Sequence, residues 1–234
     1  MKTLKRSITV LVCLILFASC SVTKYKKLGS KIGLIQTNYW SGQLQSESYA
    51  KVDSINSWIL SGLTEGYYKN GQLKYKGNIK DDEMNGLTEG YYKNGQLEYK
   101  GSFIDGKQDG LSKTYWENGQ LEYKGSYMDG KEDGLKELYY KNGQLEYKGS
   151  YTNGIQSNIC EFYYESGQLN ERHHHKKSGN LGLKDGRSVT YFKNGKLKRK
   201  GNYVNDKKDG VWEFYKKNGK LKNKVNIKDG KEIY

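Results

Sequence analysis

Proline is absent from the 234 residues, aliphatic side chains are scarce within a hydrophobic share of only 35%, and three cysteines occur in all. The shortage of aliphatics excludes an ordinary deep core. Cys13 and Cys20 belong to the N-terminal segment treated below, so Cys160 remains alone and no disulfide framework exists. The apolar run Ile8–Phe17 is too short to span a bilayer as a helix. No Ser/His/Asp constellation, nucleophile motif, phosphate-binding loop or convergent metal set stands at the spacing its chemistry needs, so the chain reads as non-enzymatic and without a cofactor.

What remains is a composition for a sheet, with 22 tyrosines, 29 glycines and 28% charged residues. Tyrosine must supply most of the buried area, and its hydroxyl prefers to reach water. A thin, extended, all-β body follows.

The first residues are different in kind. Lys2, Lys5 and Arg6 precede the apolar run, which ends in Phe17-Ala18-Ser19-Cys20. This pattern reads as an export signal and resembles a bacterial lipoprotein cleavage box, with Phe17 where leucine is commoner. On that reading residues 1–19 are removed, Cys20 carries lipid, and residues 20–35, with Lys24, Lys26, Lys27 and Lys31, tether the rest to a membrane of the bacterial cell envelope. An ordinary cleaved secretory signal is the alternative.

Beyond the tether the chain is periodic. Lys-Asn-Gly-Gln-Leu recurs letter for letter at 69–73, 93–97 and 141–145, and Gly71, Gly95, Gly119, Gly143 and Gly167 are 24 residues apart. Gly195 follows after 28 and Gly219 after 24, which gives seven units over 62–234, with an insert at 169–186. A degenerate unit at 36–61, around Tyr39-Trp40-Ser41-Gly42-Gln43-Leu44, caps the array.

Each unit reads as a β-hairpin. Asn94-Gly95 is expected to form a two-residue type I′ turn, which requires positive φ at both residues, and Asp105-Gly106-Lys107-Gln108-Asp109-Gly110 joins one hairpin to the next. That register sets Tyr92 opposite Leu97, Gly90 opposite Tyr99 and Glu89 opposite Lys100. It also pairs Glu65 with Lys76, Glu137 with Lys148, Glu161 with Arg172 and Glu213 with Lys224, while Lys113–Lys124 and Val189–Lys200 are the exceptions. Alternation places Leu97, Tyr99, Gly101 and Phe103 on one face, with Tyr99 covering Gly90 across the strands.

The Tyr-x-Asn-Gly-x-Leu-x-Tyr-x-Gly-x-Tyr pattern, as in Tyr139–Tyr151, resembles the variant form of the MORN repeat, the bacterial type often labelled YwqK-family antitoxin. The resemblance implies an elongated single-layer antiparallel β-meander of tandem hairpins that binds or scaffolds and has no catalytic centre. Glu171 and His173 depart from it, standing where the pattern has Tyr and Gly.

Three features bear on function. Tyr67, Tyr91, Tyr115, Tyr139, Tyr163, Tyr191 and Tyr215 hold one position in all seven units, on the face away from the Leu-Tyr ladder; they read either as an exposed binding face or as cover for the second side of the sheet. His173-His174-His175 reads as a solvated loop, since two imidazoles on one face of a strand do not make a metal site. Residues 187–234 hold 15 Lys+Arg against 5 Asp+Glu, a basic end that resists edge-to-edge pairing or meets an anionic surface. Nucleic acid is not expected as a partner of an exported chain without a nucleic-acid-binding motif. The expected function is a scaffold for a protein partner, itself included, with a glycan- or wall-binding module and a toxin neutraliser as alternatives.

Overall fold

The computed structural model describes residues 22–28, 32–52 and 58–233; the proposed signal, Cys13 and Cys20 lie outside them. The chain divides into two units, Met1–Asp82 and Glu83–Tyr234. Among the described residues of the first, β1 (Val22–Lys27), β2 (Ile32–Asn38), β3 (Leu44–Val52), β4 (Trp58–Tyr67) and β5 (Leu73–Lys80) each pair antiparallel with the next. The second contains β6 (Glu83–Tyr91), β7 (Leu97–Ile104), β8 (Lys107–Gln108), β9 (Gly110–Tyr115), β10 (Leu121–Met128), β11 (Lys131–Tyr139) and β12 (Leu145–Thr152). It continues with β13 (Ile155–Tyr163), β14 (Leu169–Ser178), β15 (Leu181–Tyr191), β16 (Leu197–Val204), β17 (Lys207–Tyr215), β18 (Leu221–Lys228) and β19 (Lys231–Ile233). β6 lies antiparallel to β7, β8 and β9 run on one after the other along the far side of β7, both antiparallel to it, and from β9 on each strand lies antiparallel to the next. The described residues contain no helix, and the all-β meander is the fold.

The turns are where the sequence expectation needs correcting. Gly95 takes φ +85, but Asn94 does not enter the positive-φ region. Gly95 N–H donates to Tyr92 O at 2.9 Å and Tyr92 N–H donates to Gln96 O at 2.8 Å, which closes a three-residue loop on a left-handed glycine. The extra residue displaces the pairing by one, so Leu97 faces Tyr91 where Tyr92 was expected, while Gly90–Tyr99 and Glu89–Lys100 stand as expected. The type I′ turns lie at the other edge. Asp105 and Gly106 take φ 44 and 75, Asp129 and Gly130 take 49 and 78, and Asn153 and Gly154 take 52 and 78. Aspartate and asparagine tolerate this region better than other residues with a Cβ.

Both edges are bonded from unit to unit. Tyr92 Oη donates to Tyr115 O at 2.7 Å, Trp116 Nε1 to Tyr139 O at 3.1 Å and Tyr140 Oη to Tyr163 O at 2.8 Å. Asn94, Asn118 and Asn142 donate their side-chain N–H to Glu117, Lys141 and Glu165 carbonyls, and each Asn Oδ1 accepts from the backbone two residues on. At the opposite edge Gly130 N–H reaches back to Gln108 O and Gly154 N–H to Glu132 O, both at about 2.8–2.9 Å. The recurring phrase thus does two jobs, since its glycine shapes one turn and its asparagine ties that turn to the next.

The ladder face holds the buried ring residues Tyr99, Phe103, Tyr147 and Trp212. At three glycines of the second unit the covering ring comes from the glycine's own strand and not from across the sheet. Tyr99, Tyr123 and Tyr147 lie along their own strands, so that a Cβ at Gly101, Gly125 or Gly149 would collide with the tyrosine two residues before it. Cross-strand cover occurs, as expected from the sequence, at Gly66, under the ring of Tyr75, and also at Gly201, under the ring of Trp212. The insert at 169–186 extends regular structure: β14 and β15 run 10 and 11 residues against 8 and 9 for β12 and β13, and turn at Gly179, φ +59. His173–His175 therefore sit in a strand and not in a solvated loop.

Candidate interaction face

Opposite the ladder lies a face carrying three rows, and strand alternation builds it. Leu87, Glu89 and Tyr91 point the same way along β6, and β9, β11, β13 and β17 repeat the triplet as Leu111-Lys113-Tyr115, Leu135-Glu137-Tyr139, Ile159-Glu161-Tyr163 and Val211-Glu213-Tyr215. In β15 it reads Arg187-Val189-Tyr191. In the first unit β4 presents Leu63, Glu65 and Tyr67.

The central row is an ion-pair zipper. Lys100 meets Glu89 at 2.9 Å, Glu137 lies between Lys124 at 3.3 Å and Lys148 at 3.6 Å, Arg172 closes on Glu161 at 2.5 Å, and Glu213 lies 2.8 Å from both Lys200 and Lys224. Lys200 and Lys224, with Tyr215, hold the Glu213 carboxyl down at about 2. Burial pushes Glu137 and Glu161 up, but hydrogen bonds from Lys124 and Tyr139, and from Tyr163 and Arg172, outweigh it and leave both below the usual carboxylate range.

The tyrosine row is half-buried rather than openly exposed. Tyr91, Tyr139, Tyr163 and Tyr215 donate to the carboxylate two residues before, at 2.8, 3.1, 2.7 and 2.5 Å, as Tyr67 does to Glu65. Burial, then the neighbouring glutamate, raises Tyr67 and Tyr163 to about 12. At Tyr115 and Tyr191 the partner position holds Lys113 and Val189. Tyr191 and Val189 line a shallow hollow of about 200 Å³ with Ile159, Arg172, His174 and Arg187.

The third row was missed by the sequence reading. Leu87, Leu111, Leu135, Ile159 and Val211 are 44, 46, 39, 43 and 51% exposed, on the strands that carry the tyrosines. The 24-residue recurrence of an aliphatic two positions before the Glu-x-Tyr pair was the available signal.

The histidine triplet divides by face. His174 borders the hollow, whereas His173 turns to the ladder face, 3% exposed, opposite Cys160, which is fully buried. Cys160 Sγ lies 3.5 Å from His175 Nδ1. Burial raises the Cys160 thiol to about 12, and burial, then the His173 charge, lowers His175 to about 4.

Seven segments of the chain, 60–81, 84–105, 108–129, 132–153, 157–177, 184–205 and 208–229, match the MORN repeat variant. The chain belongs to the MORN repeat variant family. No curated protein matches it. MORN repeats commonly mediate protein or membrane interactions and are generally non-catalytic, which fits a repeat array whose regular surface is its main feature.

Proposed function

We propose that this MORN-variant chain is a non-catalytic scaffold that docks a protein partner on its charge face, and that lipid on Cys20 holds it to the bacterial envelope. The observation that carries the docking reading is the exposed aliphatic row set beside the zipper. Residues on every second strand of a sheet recur at about 9.6 Å, so the face suits a partner presenting apolar side chains at that interval, flanked by charges of both signs. Half-buried tyrosine rings, fixed by their glutamates, form a rigid border at low entropic cost. The Lys2, Lys5, Arg6 and Ile8–Phe17 segment running into Cys20 supports the anchor.

The test compares the tagged chain with two variants, one with Leu87, Leu111, Leu135 and Ile159 changed to Ser, the other with Tyr91, Tyr115, Tyr139 and Tyr163 changed to Ser. Partners are captured from envelope extract by cross-linking, and circular dichroism checks the fold. The Leu/Ile variant is expected to lose a partner that the parent retains. Equal recovery with the fold intact refutes the docking face, and sedimentation with purified cell wall, or with anionic vesicles, would favour glycan or lipid instead. Acyl labelling that persists in Cys20→Ala refutes the anchor.

A further inference from the structure

In one hairpin, four positions of the ladder face depart from the repeat together. The hairpin β6–β7 holds Thr88, Tyr99, Gly101 and Phe103 there, and at the equivalent places β13–β14 holds Cys160, Glu171, His173 and His175. All four replacements are metal-ligand types, and the outward-facing residues between them, Arg172 and His174, are not part of the set. The unit loses its tyrosine and its glycine at once, so the space elsewhere occupied by a ring lying over glycine is filled here by two imidazoles facing a thiol.

The geometry is that of a small ligand cluster. Cys160 is the direct cross-strand partner of His173, and His175 follows on the same face one pleat further. Ligand atoms of the three all lie within 4.8 Å of one another. A tetrahedral zinc with Zn–S of about 2.3 Å and Zn–N of about 2.0–2.1 Å sets sulfur and nitrogen about 3.5 Å apart. Cys160 Sγ and His175 Nδ1 are already at 3.5 Å. A second, independent observation is that His173 Nδ1, with its side chain only 4% exposed, faces one carboxylate and no other polar partner. It stands 3.3 Å from Glu171 Oε1, the position from which a carboxylate orients a metal-bound imidazole.

We propose that Cys160, His173 and His175 bind a thiophilic divalent metal ion, zinc, with Glu171 orienting the His173 ring. Binding displaces the thiol proton to solvent, leaving a thiolate on the metal, while the imidazoles donate lone pairs without losing a proton. Water completes a tetrahedral set. His175 is only half-buried and gives the ion its way in, whereas Cys160 and His173 lie beneath it. Lys184 Nζ lies 3.9 Å from Glu171 Oε1, on the carboxylate that faces His173.

The experiment uses the full chain, purified without a polyhistidine tag and dialysed against chelator. Zinc is titrated in competition with a chromogenic chelator, and cobalt(II) replaces zinc for absorption spectroscopy. One ion per chain is expected, with a thiolate-to-cobalt charge-transfer band. Cys160→Ser is expected to lose the band and weaken zinc by at least about 100-fold, since changes merely in the outer shell of such sites cost 10–100-fold. A second variant, Cys160→Ser with Glu171→Tyr, His173→Gly and His175→Tyr, restores the pattern of neighbouring units; it is expected to fold and take up no zinc, which separates ligand loss from misfolding. His174→Ala is expected to bind as the parent does. Absence of one-to-one uptake, a cobalt spectrum without the thiolate band, or zinc uptake unchanged in Cys160→Ser would each overturn the assignment.

Discussion

Replacing Gly149 by alanine separates the packing described above from ordinary strand propensity, because the two predict opposite signs. Gly149 is not among the residues with positive φ, so alanine meets no backbone strain there. On entropy alone the change would stabilise by about 0.4–1 kcal/mol. The added methyl, however, would collide with the Tyr147 hydroxyl and lie 2.7 Å from Cζ and 3.2 Å from Cε1 of that ring. Tyr147 has little room to retreat, being 6% exposed, packed on Phe162 at 5.0 Å between centroids, and bonded through its hydroxyl to Gln156 at 2.6 Å and Tyr151 at 3.2 Å. Overpacking costs about 1–3 kcal/mol and each displaced hydrogen bond about 0.5–1.5, so a net loss of roughly 2–4 kcal/mol is expected. Urea unfolding followed by circular dichroism reads it as a lowered midpoint. In a Tyr147→Ala background the same alanine should cost nothing, so the coupling equals the whole loss, roughly 2–4 kcal/mol. A Gly149→Ala chain as stable as the parent, or more so, would refute the ring-over-glycine packing.

Other consequences are as direct. Asn142→Ala removes bonds to Glu165 and Gln144 at 2.8 and 3.0 Å without strain and should cost about 1 kcal/mol, whereas Asn153→Ala puts at φ 52 a residue that tolerates the left-handed region less well than asparagine and should cost about 1 kcal/mol. Glycine should rescue position 153 but not 142 in thermal unfolding, and the reverse would mean the turn types are misassigned. Because the Glu213 carboxyl is held at about 2 against 4.5 when free, folding binds fewer protons than the unfolded chain in that interval, and its contribution, full above pH 4.5, is lost as pH falls towards 2. Glu213→Gln should flatten that limb of an acid titration, and an unchanged limb would refute the zipper's role. At the other extreme, Tyr67 and Tyr163 stay protonated to about 12 against 10 unfolded, so stability should fall between pH 10 and 12, and less so in the Tyr163→Phe chain.

Most of the architecture was legible because a 24-residue period carries the same message many times. Opposite charges at Glu89–Lys100 and Glu137–Lys148 fixed the register, since a slip of one residue would have turned every pair to the wrong face. The turn types were not legible in the same way. Asn-Gly suits both a two-residue I′ loop and a glycine-closed three-residue loop, and the choice depends on bonds between units, such as Asn142 to Glu165 O, that no single hairpin contains. Cys160 escaped notice as a neighbour of the histidines for a related reason: 13 positions of chain separate it from His173, and only strand pairing makes them adjacent.

The bonding along the two edges has a bearing on how such a chain changes length. Tyr92, Trp116 and Tyr140 each reach the unit ahead, while Gly130 and Gly154 reach the unit behind. Excising 24 consecutive residues between Glu83 and Gly167, where the period is regular, would bring together ends that already expect one another, and each surviving donor would find a carbonyl of the right kind. Excising part of a repeat would leave both margins mismatched. The molecule is thus built to grow or shrink by whole steps, and copy number is the quantity that duplication and deletion can alter at least cost.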